Sequence, residues 1–206
     1  MGAVPATVTW GLLAAWAVHD AEELTTMSAW ARKARPELEE RLPYVPGWVW
    51  DRLDVPQRHV NVAIGLMAGV MAVASARGAA TGGRSPLFQT ALAGFGLHGA
   101  IHLAQSAAVR RYTPGVLTAP VVVIPFSVWA WRRLRRAGVP TGGPASSAAG
   151  LTLLPLVLGG VHGLAYMLTR DGRAEPTLPR ADTAEPAPPL DSIAKWLARI
   201  KRGRRL

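Results

Sequence analysis

Residues 6–31 read ATVTWGLLAAWAVHDAEELTTMSAWA, an apolar run interrupted by His19-Asp20-Ala21-Glu22-Glu23. A run of this length predicts a helix. Residues three and four apart on a helix share a face, which groups His19 with Glu22 and Glu23. Three acids and an imidazole in a membrane helix are costly unless they face the protein interior and find partners there. The stretch therefore predicts a helix bundle with a polar site inside it.

The rest of the chain agrees with an all-α fold, a polytopic membrane bundle of about five transmembrane helices. Half of the 206 residues are hydrophobic and only 17% are charged, with the charge gathered between apolar runs rather than on alternating faces. Membrane-length segments fall at about 6–31, 59–76, 87–109, 115–132 and 150–169, each near the roughly 20 residues a span needs. Residues 32–58 read as a mixed-charge loop whose Trp48 and Trp50 rest at the interface. Gly- and Pro-rich connections follow at 78–86, 112–115 and 138–147. No basic start with a small-residue cleavage site precedes the first run, so no signal peptide is expected.

Residues 1–170 thus form the bundle, 171–189 a Pro-rich linker, and 190–206 a basic amphipathic helix. In that last segment Leu190, Ile193, Leu197 and Ile200 make one stripe opposite Lys and Arg, a pattern that binds anionic lipid headgroups. Counting positive loops places the amino-terminus outside and the tail in the cytoplasm, although Arg132–Arg136 argue locally the other way. The Ala, Arg, Gly and Pro bias suits a bacterial gene and hence a bacterial inner or plasma membrane. The net charge of +10 invites nucleic acid as a partner. The Lys and Arg flank apolar runs and fill the tail without a nucleic-acid motif, so no nucleic-acid partner is expected.

Zero cysteines exclude disulfides, iron–sulfur clusters and thiolate sites. Any metal must be held by nitrogen and oxygen. Four of the five histidines, His19, His98, His102 and His162, lie within apolar spans. At roughly 1.5 Å per residue, His19, His98 and His162 each fall about a dozen residues into helices that start on one side, and so at one level. His102 sits one turn beyond His98, level with Glu22 and Glu23. His59 enters its helix from the opposite side and joins only near its tip. The expected ligands are therefore His19, Glu22, Glu23, His98, His102 and His162, with His59 as a further candidate.

His98-x-x-x-His102 lets two imidazoles reach one metal or two adjacent ones. Seven nitrogen and oxygen donors exceed one ion's needs, and two ions sharing bridging carboxylates fit the count. Such donors suit iron, manganese or zinc. Asp20, Asn61 and Gln105 are candidates to hydrogen-bond the ligands from behind. Trp10, Trp30, Trp129 and Trp131 read as interfacial anchors. Trp16, one turn before His19, packs there or walls a pocket. Gly65, Gly69, Gly94, Gly96, Gly99, Gly159 and Gly160 read as helix-packing positions. A proton relay or a structural polar core remains the rival reading of the cluster.

The sequence resembles the HXXEE-domain proteins, small integral membrane proteins of largely unassigned function. The resemblance rests on His19–Glu23, on His98-Gly-Ala-Ile-His102, and on Arg111-Tyr112-Thr113-Pro114-Gly115 followed by Thr118 and Pro120. It covers about 10–170. It implies a membrane metal centre, in particular a di-iron oxidase or oxygenase. It also implies kinship with relatives in natural-product pathways that oxidise nitrogen-centred groups.

The function expected is then a metal-dependent oxidoreductase with two metal ions, iron before manganese or zinc. It would act on a small or lipophilic substrate entering from the bilayer. An external electron donor is expected, since no flavin or nicotinamide fingerprint is present. Three rivals stand. One is zinc-dependent hydrolysis with Glu22 or Glu23 as catalytic general base. Another is a non-enzymatic metal or proton carrier, weakened by the lack of a convincing internal repeat. The last is bis-histidine haem binding, which gives no reason for the paired glutamates.

Overall fold

The computed structural model describes residues 3–141 and 144–170, apart from the side chains of 52, 53, 144–151 and 154. Those residues are all-helical, with no strand among them. Helix α1 spans Ala6–Arg41, α2 Gly47–Leu53, α3 Gln57–Ala80 and α4 Pro86–Val109. A π-helical turn at Ala119–Val123 leads into α5, Ile124–Arg136, and α6 spans Pro144–Arg170. The linker 171–189 and the amphipathic segment 190–206 lie outside the described residues.

The first helix is longer than its apolar run predicts. It continues through Pro36 to Arg41, turning ten residues of the expected loop into helix. Pro36 removes one backbone donor, but ion pairs at helical spacing, Arg35 with Glu39 at 2.7 Å and Arg41 with Glu37 at 2.8 Å, favour continuation. Helix α4 begins where the sequence says it should. Pro86 occupies the first turn and the Ser85 hydroxyl accepts from the Phe88 amide at 3.4 Å. It stops at Arg110, a non-glycine residue in the left-handed region at φ +56°, which turns the chain back toward α1.

Among the described residues only one helix, Gln57–Ala80, is long and apolar enough to cross a membrane. The expectation of about five such spans is not met. Helix α1 carries its acids and bases inside the run, and α4 dilutes its apolar residues with His98, His102, Gln89 and Gln105. Helix α5 has 13 residues and ends in four arginines. The expected fourth span at 115–132 is thus broken into a loop, a π turn and a short helix, where Pro120 and Pro125 remove backbone donors.

Helix α1 packs along α3, α3 against α4 and α6, and the π turn against α1 and α4. One apolar core joins them. Val8, Leu12 and Trp16 of α1 meet Phe88, Leu92 and Phe95 of α4, Met71 of α3, and Val123 and Leu134. Burial of this kind contributes about 1.5–3 kcal/mol for each large side chain. At Gly99 a Cβ would lie 2.8 Å from Val123, so only glycine lets the π turn approach α4 this closely. Gly96 is similarly tight against Ser127. Gly65, Gly69, Gly159 and Gly160 face open space, so helix packing does not explain them.

Candidate metal centre

The shared core sets α1 and α4 side by side and running in the same direction, so the middle of one faces the middle of the other. His19 and Glu23 of α1 thereby meet His98 and His102 of α4. One donor atom from each of the four lies within 4.8 Å of the others. The His102 Nε2 stands 2.8 Å from His98 Nε2 and 3.2 Å from Glu23 Oε1, and His98 Nε2 is 4.0 Å from the same oxygen. The His19 ring stands edge-on to both, with centroids 5.3 Å from His98 and 4.9 Å from His102.

Donors about 2.0–2.1 Å from one ion at tetrahedral angles lie roughly 3.3 Å apart, inside the spread seen here. Two buried ring nitrogens, His19 Nε2 and His102 Nδ1, have no hydrogen-bond partner. A buried polar atom left unpaired costs about 1–3 kcal/mol. A cation would satisfy the first of them, and the all-nitrogen and oxygen set fits one.

Glu22 does something else. Although it shares the predicted face with His19, its carboxylate is enclosed by the loop that follows α4. It accepts from the amides of Gly115 at 3.1 Å, Leu117 at 3.3 Å and Thr118 at 2.9 Å, and from the Tyr112 hydroxyl at 2.9 Å. The Thr118 hydroxyl completes the set at 2.7 Å. Five donors leave this carboxylate spoken for, so Glu22 organises the loop rather than joining the four donors.

Thr118 then fixes His19. Its one hydroxyl proton goes to the Glu22 carboxylate, which as an anion only accepts. The 2.7 Å contact between Thr118 Oγ1 and His19 Nδ1 is therefore an Nδ1–H donated to the threonine oxygen. That tautomer leaves the lone pair on Nε2, the unpartnered atom facing the cluster. Fixing a ligand imidazole through its other nitrogen is a common way to orient metal ligands.

The same loop is fastened along α1 at two more places. Trp30 Nε1 donates to the Tyr112 carbonyl at 2.8 Å, and Arg111 makes a bidentate ion pair with Glu37. Trp30 is thus a loop clamp, not an interfacial anchor. Gly115 passes directly over the site. At φ +84° a Cβ would sit 2.6 Å from the His102 ring, a conformation and a clearance that only glycine meets. Tyr112, Gly115 and Thr118 carry the resemblance noted above, but nothing in their spacing alone assigned them a task.

The remaining expected ligands are not among the four donors, although His162 lines the same cavity as Glu23, His98 and His102. His162 of α6 pairs with His59 of α3, Nδ1 to Nε2 at 3.0 Å, the rings stacked with centroids 5.2 Å apart. They hydrogen-bond to each other, and neither is in the four-donor set. Glu22, His162 and His59, which the expected two-ion site also drew on, lie outside this group of four. Asn61 is also remote in role, accepting from Gln57 at 2.9 Å on α3.

Glu23, His98 and His102 open onto a cavity of about 660 Å³, while His19 closes the site from behind. Trp16 and Trp50 help wall this cavity, as do Met67 and Met71, so Trp50 is not at an interface. Gln105 lies on the cavity wall rather than behind a ligand. Asp20, 7% exposed, also lines it and makes no hydrogen bond among the described residues. At the rim Arg35 binds Asp51 at 2.8 Å as well as Glu39, and these carboxylates hold its guanidinium above its ordinary pKa.

No curated protein and no solved structure matches the chain. A family described as "Protein of unknown function with HXXEE motif" matches residues 10–130. That match takes in α1, the two α4 histidines, the Tyr112–Thr118 loop and most of α5, and with it every side chain of the four-donor set. The chain belongs to the HXXEE family.

Proposed function

We propose that this protein is a membrane-embedded metalloenzyme, a dioxygen-dependent oxidoreductase acting on an apolar substrate. The observation that carries the reading is the placement of three donors, Glu23, His98 and His102, on the wall of an apolar cavity whose fourth donor lies behind them. A metal site enclosed by protein but open on one side to a cavity is the arrangement of a catalytic centre; a structural site is closed. Iron held by imidazole and carboxylate would supply dioxygen activation and electron transfer, with an external donor providing electrons.

The chain's own groups have distinct tasks in this scheme. Thr118 and Glu22 hold His19 in one tautomer. Glu23 supplies the anionic ligand. Asp20, buried on the same wall, holds or releases a proton at its carboxylate beside the bound substrate. The apolar lining excludes water from the reacting groups.

Embedding in a bilayer is supported by the outward faces. Leu117, Val121 and Leu156 are 64–70% exposed, and Ile101, Leu103, Val128, Leu164, Met167 and Leu168 are exposed as well. Large exposed apolar areas on a protein mark interaction or membrane surfaces. With α3 as one span, the acid-bearing α1 and histidine-bearing α4 turn their polar groups inward.

Zinc hydrolysis is the second reading, favoured by Asp20, which is placed as a general base once Glu22 is committed to the loop. The two separate in one experiment. Protein loaded anaerobically with ferrous iron is mixed with oxygenated buffer and a chemical reductant, and oxygen uptake is followed. Uptake that needs the iron and disappears in His98→Ala/His102→Ala supports the oxidoreductase. No uptake above free iron, together with ester hydrolysis by the zinc-loaded protein, would move the assignment to a hydrolase.

A further inference from the structure

The shape of the cavity speaks to what enters it. Its wall follows α1 from Trp16 to Leu38 and α4 from Leu87 to Val109, 22 residues along each of two helices running in the same direction. At 1.5 Å per residue that is a length of roughly 33 Å. The cavity holds about 660 Å³. A lining that runs so far along two helices suits an extended aliphatic chain, which can follow it from one end to the other.

The lining divides along the length. The end near Trp16 is apolar, with Met71, Ala91, Phe95 and Leu153. The opposite end holds Arg35 and Asp54, the charged residues of the rim, and Thr113. Between them stand Asp20, Glu23, His98 and His102. By helical rise, Glu23 lies roughly 10 Å from the Trp16 level and about 22 Å from the Leu38 level. We infer that the cavity is a channel for a single-chain amphiphile, its polar head at the Arg35–Asp54 rim and its alkyl chain running past Glu23, His98 and His102. The substrate class would then be linear alkyl compounds acted on along the chain. This rests on the metalloenzyme reading for its chemistry, but the binding itself does not require the metal.

Binding is testable on the full chain in detergent micelles with cis-parinaric acid, a slender fluorescent fatty acid that accepts energy from tryptophan. Trp16, Trp30 and Trp50 all line the channel. The expected result is saturable binding near one probe per chain. Palmitic acid should displace it at least tenfold more effectively than cholesteryl hemisuccinate, because the occupant inferred is a flexible chain and not a rigid ring system. Ala91→Trp, which fills the inner arm, should abolish saturable binding yet keep the wild-type metal content. Ala63→Phe, on the opposite wall, gives a second obstruction should the first fail to fold.

Equal displacement by the sterol, or saturable binding unchanged in both obstructed variants, would overturn the inference. So would the lack of saturable binding to wild type. Metal content is read on the same samples. Metal without chain binding rejects the channel alone, and chain binding without metal rejects the metalloenzyme reading alone.

Discussion

Thr118→Val removes one hydroxyl from the centre of the site and leaves nearly the same volume. Two consequences follow from the hydrogen bonds. His19 keeps its Nδ1–H but loses the acceptor at 2.7 Å, and Glu22 keeps four of its five donors. Because those four hold the loop, the backbone stays in place and the loss falls on His19. Its unpaired buried donor costs about 1–3 kcal/mol, and the ring becomes free to present its proton at Nε2. The outer partners of metal ligands typically affect affinity by roughly 10–100-fold, and a loss in that range is the expected result. Metal affinity measured by competition with a chromogenic chelator reads it directly, with thermal unfolding of the metal-free protein as the control. Thr118→Ser restores the hydroxyl and should return affinity to within about threefold of wild type. Wild-type affinity in Thr118→Val, or a Ser variant as weak as the Val variant, would refute the tautomer argument.

Three other perturbations separate the parts of the site. Glu22→Gln replaces an acceptor of five bonds by an amide that must turn two of its own hydrogens toward donors. It should cost about 2 kcal/mol in denaturant unfolding, and an unchanged midpoint would contradict the loop-organising role. Glu23→Gln should do the reverse, leaving the unfolding midpoint near wild type while metal content falls, since this side chain serves the ion rather than the fold. Gly115→Ala combines a left-handed backbone, worth roughly 1–2 kcal/mol, with a Cβ 2.6 Å from the His102 ring. It should lower both stability and metal content, and full metal content would show that the loop does not confine His102.

The sequence carried the helices because apolar runs with Gly and Pro punctuation dominate it. It also carried the core of the site, because counting residues along parallel helices sets depth, and depth brought His19 level with His98 and His102. Depth does not set direction. His162 reaches the same cavity but hydrogen-bonds to His59, a matter of how α6 is rotated against α3. Glu22 and Glu23 are neighbours about 100° apart on one helix, and no sequence rule decides which faces α4 and which faces a loop. The loop itself, Arg110–Thr118, was legible only as a resemblance. Its function arises from backbone amides, which every residue has, converging on one carboxylate. The extension of α1 past Pro36 falls in a stretch whose mixed charge reads as a loop, whereas the ion pairs of Arg35 and Arg41 at helical spacing carry the helix onward.

The central claim is that His19, Glu23, His98 and His102 form one metal site, and that His59 and His162 are not needed for it. Elemental analysis of detergent-purified protein, reconstituted anaerobically with iron, tests it in three forms of the chain. The account predicts about one iron per chain in wild type, loss of that iron in His98→Ala/His102→Ala, and retention in His59→Ala/His162→Ala. No bound metal in wild type after reconstitution with iron, manganese and zinc, or equal loss in both double variants, would contradict it.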